Sequence, residues 1–304
     1  MGSVAGPAAT PSSMQSEEPK TVELPDGRTL GWTPFGAAGG PAVLVLDGPG
    51  SRGLPRAASG IAADLGVQLV APDRPGFGKS DPPLTRSHAA TARDLITLMD
   101  ALGHERFGVL GQSGGTPFAL GVAAAGGDRV TGLAFVGGII PLAEPGALDD
   151  VSGPMLTMFR LAKRAPFLLK PLLGAAGRSA RKDPVKMAKK YAEDLPPADQ
   201  AVLADPAMWA IHEQGTAEAL DHPAAFAREA ANLARPWDVD LSAITAPTEL
   251  WVGERDPVHP PVMSRRLAER LGGAPVHVVP GAATFGCVPV YGDVLAFAVR
   301  GVST

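Results

Sequence analysis

The chain has 304 residues, 45% hydrophobic and 19% charged, a balance that suits a globular protein with a sizeable buried core. Its formal net charge of -4 argues against nucleic acid or an anionic membrane as the partner. A single cysteine, Cys287, excludes an intrachain disulfide, and no apolar run is long enough to span a bilayer.

The N-terminus lacks the basic segment and apolar run of a signal peptide, so residues 1–19, rich in Ala, Pro, Ser and Gly, read as a disordered leader. Thr21–Leu24 and Thr29–Trp32 flank the turn Pro25-Asp26-Gly27 and predict a hairpin. Val43–Leu46 and Val67–Ala71 are the next strands, with a helix from about Ser51 between them. Ala89–Leu102 has helical spacing, Phe107–Leu110 and Val130–Val136 are strands, and a helix follows Ser113. This alternation implies a parallel sheet covered on both faces. From Pro141 to Arg235 only helical stretches appear, punctuated by prolines. The sheet rhythm returns with Thr248–Val252 and Val276–Val279, a helix near Val262–Leu271, and a last helix about Val288–Val299. The expected organisation is a core over 20–140 and 236–304, split by a helical lid over 141–235. Arg178 to Lys190, the most basic stretch, is broken by Asp183, Pro184 and Ala188 and reads as a solvated helix face.

Gly111-Gln112-Ser113-Gly114-Gly115 follows a strand and opens a helix, which is the setting of a nucleophile elbow. A serine hydroxyl is a weak nucleophile unless a base takes its proton. The glycine-rich loops carry no dinucleotide or Walker pattern, and no His/Cys/Asp spacing suggests a metal, so neither cofactor nor metal is expected.

With Asp73-Arg74-Pro75-Gly76-Phe77-Gly78-Lys79-Ser80 and Trp251-Val252-Gly253-Glu254-Arg255-Asp256, the elbow makes three landmarks in order, each beside a predicted strand. Together they resemble the α/β-hydrolase family, in particular its small lidded bacterial members, from about Thr21 to the C-terminus. The resemblance implies an eight-stranded, mostly parallel sheet with helices on both faces and a lid inserted after the sixth strand. It makes Ser113 the nucleophile and Asp256 the acid of a triad. The family's histidine falls in the loop after the last strand, where this chain has Pro280-Gly281-Ala282-Ala283-Thr284. Thr284, at that position, has no group that accepts a proton near neutral pH. The family's His-Gly-x-Pro-Gly oxyanion loop is shortened to Asp47-Gly48-Pro49-Gly50, and Pro49 has no N–H to donate.

Asp47 is either hydrogen-bonded to loop N–H groups or an acid/base with a shifted pKa, the first being favoured. Two histidines are candidates to replace the absent base. His212 lies in the lid beside Trp209, and His259 stands three residues after Asp256, where Pro260 and Pro261 suggest a solvent-facing surface turn. His88 reads as a helix-end residue, and Cys287 as packing. The candidate catalytic residues are thus Ser113, Asp256, Asp47 and His212. Gly48, Pro49, Gly50, Gln112 and Gly114 are expected at the oxyanion side, and Trp209, Thr284 and Phe285 at the substrate.

Without the family's histidine, the leading expectation is a non-hydrolytic enzyme. Its chemistry would be cofactor-independent oxygenation, ring opening, cyclisation or C–C cleavage on a small apolar, polycyclic specialised metabolite. A serine ester hydrolase using His212 or His259 is the second reading, and a non-catalytic ligand receptor the third. The expected setting is the cytoplasm, without nucleic acid or membrane, and homodimerisation is compatible with the sequence.

Overall fold

The computed structural model describes residues 18–302. The expected leader lies outside the described residues, apart from its last two positions. Eight strands form one sheet in the order β1-β2-β4-β3-β5-β6-β7-β8. The hairpin is present: β1 (Lys20–Glu23) runs antiparallel to β2 (Thr29–Gly36), which continues four residues past the run read from sequence. β2 is antiparallel to β4 (Gln68–Pro72), and every later pairing is parallel, through β3 (Ala42–Leu46), β5 (Phe107–Ser113), β6 (Val130–Gly138), β7 (Thr248–Gly253) and β8 (Val276–Val279). β3 and β6 are buried along their whole length, as continuous apolar strands of a doubly covered sheet should be.

On one face, α1 (Gly53–Asp64) and α11 (Tyr291–Ala298) bury Leu54, Ala58, Val294 and Leu295 against Val43 and Val45. On the other, α2 (His88–Ala101), α3 (Thr116–Gly126) and α10 (Pro261–Arg270) bury Leu95, Leu120 and Leu267 against Leu44, Val109 and Leu133. The helix after the elbow starts at Thr116. Gly115 brings it onto the sheet, because a Cβ there would collide with the Leu46 carbonyl.

Six helices stand between β6 and β7: α4 (Gly153–Arg164), α5 (Leu169–Lys182), α6 (Pro184–Glu193), α7 (Pro197–Leu203), α8 (Pro206–Asp221) and α9 (Pro223–Leu233). Their inner residues Leu169, Leu173, Met187, Leu220 and Phe226 form a core of their own with Phe77 of the sheet loops. Among the described residues no helix is long and apolar enough to cross a membrane.

The insertion is tied to the sheet by charge as well as by apolar contact. Arg74, after β4, donates from Nε and Nη2 to Glu229 of α9 at 2.8 Å each, and both side chains are buried. The Arg74 guanidinium also lies 5.0 Å from the Phe118 ring centroid. Removing one member of such a pair leaves an uncompensated charge in low dielectric. Glu229→Ala is therefore expected to destabilise the protein by roughly 3 kcal/mol or more in urea denaturation, whereas truncating an exposed pair such as Arg181–Asp221 changes stability by about 0–1 kcal/mol.

Candidate active site

β5 delivers Ser113 to the elbow with φ at +49°, and it is the only non-glycine residue with positive φ among the described residues. That left-handed backbone is costly for a residue with a Cβ and persists only where its surroundings enforce it. The Ser113 carbonyl accepts from Thr116 Oγ1 at 2.7 Å, and the Gln112 carbonyl accepts the Gly115 N–H at 2.7 Å. These bonds fix the turn into α3. In the sheet register Ser113 is paired with Gly138, at the end of β6.

After β7 the chain turns on Asp256. Its Oδ1 accepts the N–H groups of Val258 and His259, both at 2.9 Å, an Asx-type turn that folds the following residues back. His259 thereby enters the interior, where Nδ1 lies 3.0 Å from Asp256 Oδ2. A carboxylate can only accept, so Nδ1 carries the proton and a neutral ring offers its lone pair at Nε2. Nε2 is buried and has no hydrogen-bond partner among the described residues. The expected solvent-facing position of His259 is wrong: the residue is 3% exposed. Pro260 and Pro261 are not a surface turn but the N-cap and first residue of α10, where proline is well suited to a helix start.

Gly137 makes room for the ring. Its φ is +60°, and a Cβ there would stand 3.0 Å from both His259 Cγ and Nδ1. The imidazole therefore packs on the residue adjacent to Gly138, the strand partner of Ser113.

Thr284 faces Asp256 from the loop after β8, and its Oγ1 donates to Asp256 Oδ1 at 3.0 Å. Burial pushes the Asp256 carboxyl upwards, but the charge and N–H of His259, with the backbone N–H groups, hold it below the usual carboxylate range. Asp199, a residue the sequence reading missed, holds the Thr284 loop from the insertion. Located in the first turn of α7 and 0% exposed, it accepts the Thr284 N–H at 3.1 Å and the Phe285 N–H at 2.7 Å. Burial raises the Asp199 carboxyl pKa, the Phe285 N–H opposes this, and the Asp256 charge adds to the rise. In sequence, Pro196-Pro197-Ala198-Asp199 reads only as an acidic first turn of a helix, so no local signal pointed to this contact.

His212 is elsewhere. Its Nε2 lies 3.2 Å from the Ala188 carbonyl, which fixes the proton on Nε2, and burial lowers its pKa. The ring packs edge-on to Phe285 and is tilted against Trp209, at centroid separations of 5.6 and 5.7 Å. His212, Trp209 and Phe285 thus form a half-buried aromatic cluster next to Thr284, while the Asp256 carboxylate holds His259 instead.

Asp47 bonds its own loop: Oδ1 accepts the Gly48 N–H at 2.6 Å and Oδ2 the Leu54 N–H at 3.0 Å, in the first turn of α1. Burial raises its pKa against those bonds and the charge of Arg74. Arg74 Nη1 and Nη2 donate to the Asp47 and Gly48 carbonyls at 2.8 and 3.1 Å. Pro49 packs against Gly114, and Gly50, with φ at +68°, against Phe77. Burial pushes the Cys287 thiol up to about 12 and leaves it protonated and inert.

Two measurements test this geometry. Gly137→Ala combines a strained φ with a methyl group against the imidazole, and is expected to destabilise the fold by about 1–3 kcal/mol and to shift the His259 ring resonances. The depressed Asp256 carboxyl contributes stability above the unfolded value of about 4, and this is lost as the pH falls through the folded value. Asp47 and Asp199, raised by burial, act with the opposite sign. Urea denaturation at neutral pH and near pH 3 should therefore show a shallower acid loss in Asp256→Asn than in the wild type.

The family model for the alpha/beta hydrolase fold matches residues 41–288. A putative carbamate hydrolase, RutD, from Variovorax paradoxus is 30% identical over 258 residues, spanning 81% of this chain and 85% of its own length. Among solved structures, an alpha/beta hydrolase fold protein from Nakamurella multipartita superposes with a TM-score of 0.65 at 25% identity, covering 93% of this chain and all of that one. A thermophilic esterase from Thermogutta terrifontis superposes with a TM-score of 0.61 at 22% identity, over 91% of this chain and 93% of that one, a likeness of fold. The elbow at Ser113, the sheet order and these matches make this chain a member of the α/β-hydrolase family.

Proposed function

We propose that the protein is a serine-dependent hydrolase of small, neutral acyl substrates, with Ser113 as nucleophile, His259 as base and Asp256 as the acid that orients it. The observation that carries this reading is the buried bond between His259 Nδ1 and Asp256 Oδ2, with Nε2 left unpartnered and the Cγ–Nδ1 side of the ring packed on Gly137, next to the strand partner of Ser113. In the proposed relay Nε2 takes the Ser113 Oγ proton as Oγ attacks the carbonyl carbon, and Asp256 stabilises the imidazolium. The imidazolium then protonates the leaving group. Water, deprotonated by the same nitrogen, cleaves the acyl-serine and restores the enzyme. The base and nucleophile of a free enzyme commonly tighten only when substrate binds.

The oxyanion falls to the N–H groups of Gly114 and Gly50, because the Gly48 N–H is held by Asp47 and Pro49 has none. Neutral substrates are favoured because the guanidinium groups around this loop are already paired: Arg52 with Asp73 and Glu218, Arg56 with Glu218, and Arg74 with Glu229. Trp209, His212 and Phe285 supply an aromatic wall, and the helical insertion serves as the lid. Carbamate and ester cleavage, the activities in the names of the relatives, both fall in this acyl class.

Non-hydrolytic chemistry on an apolar, polycyclic metabolite is the second reading. It is favoured by Thr284 at the family's histidine position and by the proline in the oxyanion loop. An electron-rich substrate would then supply its own anion, with the protein positioning and dehydrating it.

A fluorophosphonate probe separates the two. The hydrolase reading expects labelling of the wild type, none of Ser113→Ala, labelling slowed about a hundredfold or more in His259→Ala, and only modest slowing in His212→Ala. A wild type silent to the probe, or His259→Ala labelling at the wild-type rate, would overturn it. Turnover of a native substrate that survives Ser113→Ala would establish the second reading.

A further inference from the structure

The net charge of -4 conceals a strongly divided molecule. Residues 160–190, from the end of α4 through α5 into α6, hold ten Lys and Arg residues and one acid, Asp183. That segment carries +9, so the rest of the chain carries -13. All ten basic residues are exposed. Arg181 pairs with Asp221, itself exposed, and Lys163 donates to the Ala143 carbonyl at 3.4 Å.

Apolar side chains are exposed in the same segment. Phe167 is 75% exposed, Leu172 56% and Leu168 41%. They occupy the short turn before α5 and its first turn, and Lys163, Arg164 and Lys170 stand within a few residues of them in sequence. α5 does not lack an inner face. Leu169, Leu173 and Ala180 are buried in the insertion core. Leu168 and Leu172, one turn apart, thus form a second stripe that is exposed among the described residues.

A merely solvated helix has no use for an exposed phenylalanine and two leucines together, and an apolar protein contact has none for a segment with a net charge of +9. An exposed apolar turn within a strongly basic, exposed segment suits the boundary between anionic headgroups and acyl chains. We propose that the α4–α6 face of the insertion docks on an anionic lipid bilayer. Phe167, Leu168 and Leu172 enter the interface, and the basic residues of α5 and α6 lie against the headgroups. α5 alone would run about 21 Å along the surface. The acidic remainder of the molecule is repelled by the same surface, so the field also sets the orientation. This inference does not depend on which chemistry Ser113 performs.

Co-sedimentation of the full chain with vesicles of phosphatidylcholine alone, or mixed with phosphatidylserine, tests it. The expected result is binding to the phosphatidylserine vesicles that weakens with salt, and little to phosphatidylcholine. At about fivefold per basic residue near the surface, the triple variant Lys163→Ala, Arg164→Ala, Lys170→Ala should bind about a hundredfold more weakly. Phe167→Ser with Leu172→Ser should lose the binding that persists at high salt. All five positions are exposed, so the thermal melting of these variants should match the wild type. No binding to phosphatidylserine vesicles at low salt, or equal binding by the triple variant, overturns the proposal. So does binding to a soluble acidic protein without binding to vesicles, or a lipid-free dimer that dissociates on Phe167→Ser.

Discussion

The site is organised by one buried carboxylate. Asp256 lies in a low-dielectric interior where an ionised carboxyl is costly unless its oxygens are matched by donors. Oδ1 takes the N–H groups of Val258 and His259 and the hydroxyl of Thr284, and Oδ2 takes the His259 ring. Those bonds do more than neutralise a charge. They reverse the chain after β7, bring His259 inside, fix its tautomer, and lock the loop after β8 to the loop after β7. A threonine at position 284 fits this arrangement because its hydroxyl donates to the carboxylate while leaving Oδ2 to a different imidazole.

A second buried charge does the corresponding work on the other side of the serine. Arg74 holds the carbonyls of Asp47 and Gly48 and is itself held by Glu229 of the insertion. Turning both carbonyls towards the guanidinium sets the peptide planes of the loop that packs Pro49 on Gly114. The insertion thus reaches the site twice, through Glu229 to the loop after β3 and through Asp199 to the loop after β8. Any movement of these helices must break charge-assisted hydrogen bonds at both points.

What was legible in the sequence was whatever local patterning encodes. Continuous apolar runs gave the buried strands, Pro25-Asp26-Gly27 gave the hairpin, and the glycines around Ser113 gave the elbow. The burial of His259 is not legible, because the two prolines that follow it suggest a surface turn where the structure has a helix start. The cause of its burial is a side-chain bond from Asp256 together with space at Gly137, more than a hundred residues away, and no window of sequence contains both. Asp199 was invisible for the same reason. The division of charge is hidden for another reason: a whole-chain sum averages +9 against -13, and although the basic residues of Arg178 to Lys190 are exposed, as a solvated helix face should be, sequence does not show that Phe167 and Leu172 are exposed too.

Placing base and acid three residues apart changes what the scaffold must hold rigid. With the histidine after β8, a relay depends on two loops keeping their separation, and a small shift of either misplaces the proton acceptor. With the histidine after β7, the Asp256–His259 geometry is set within a single turn, and the backbone N–H of His259 and its ring are bound by the same carboxylate. The loop after β8 is then released from carrying a base, and its N–H groups are available to Asp199. In the proposed enzyme that exchange moves the sensitive contact: the chemistry is fixed by the sheet edge, while the insertion governs Thr284, Phe285 and the aromatic wall that substrate meets.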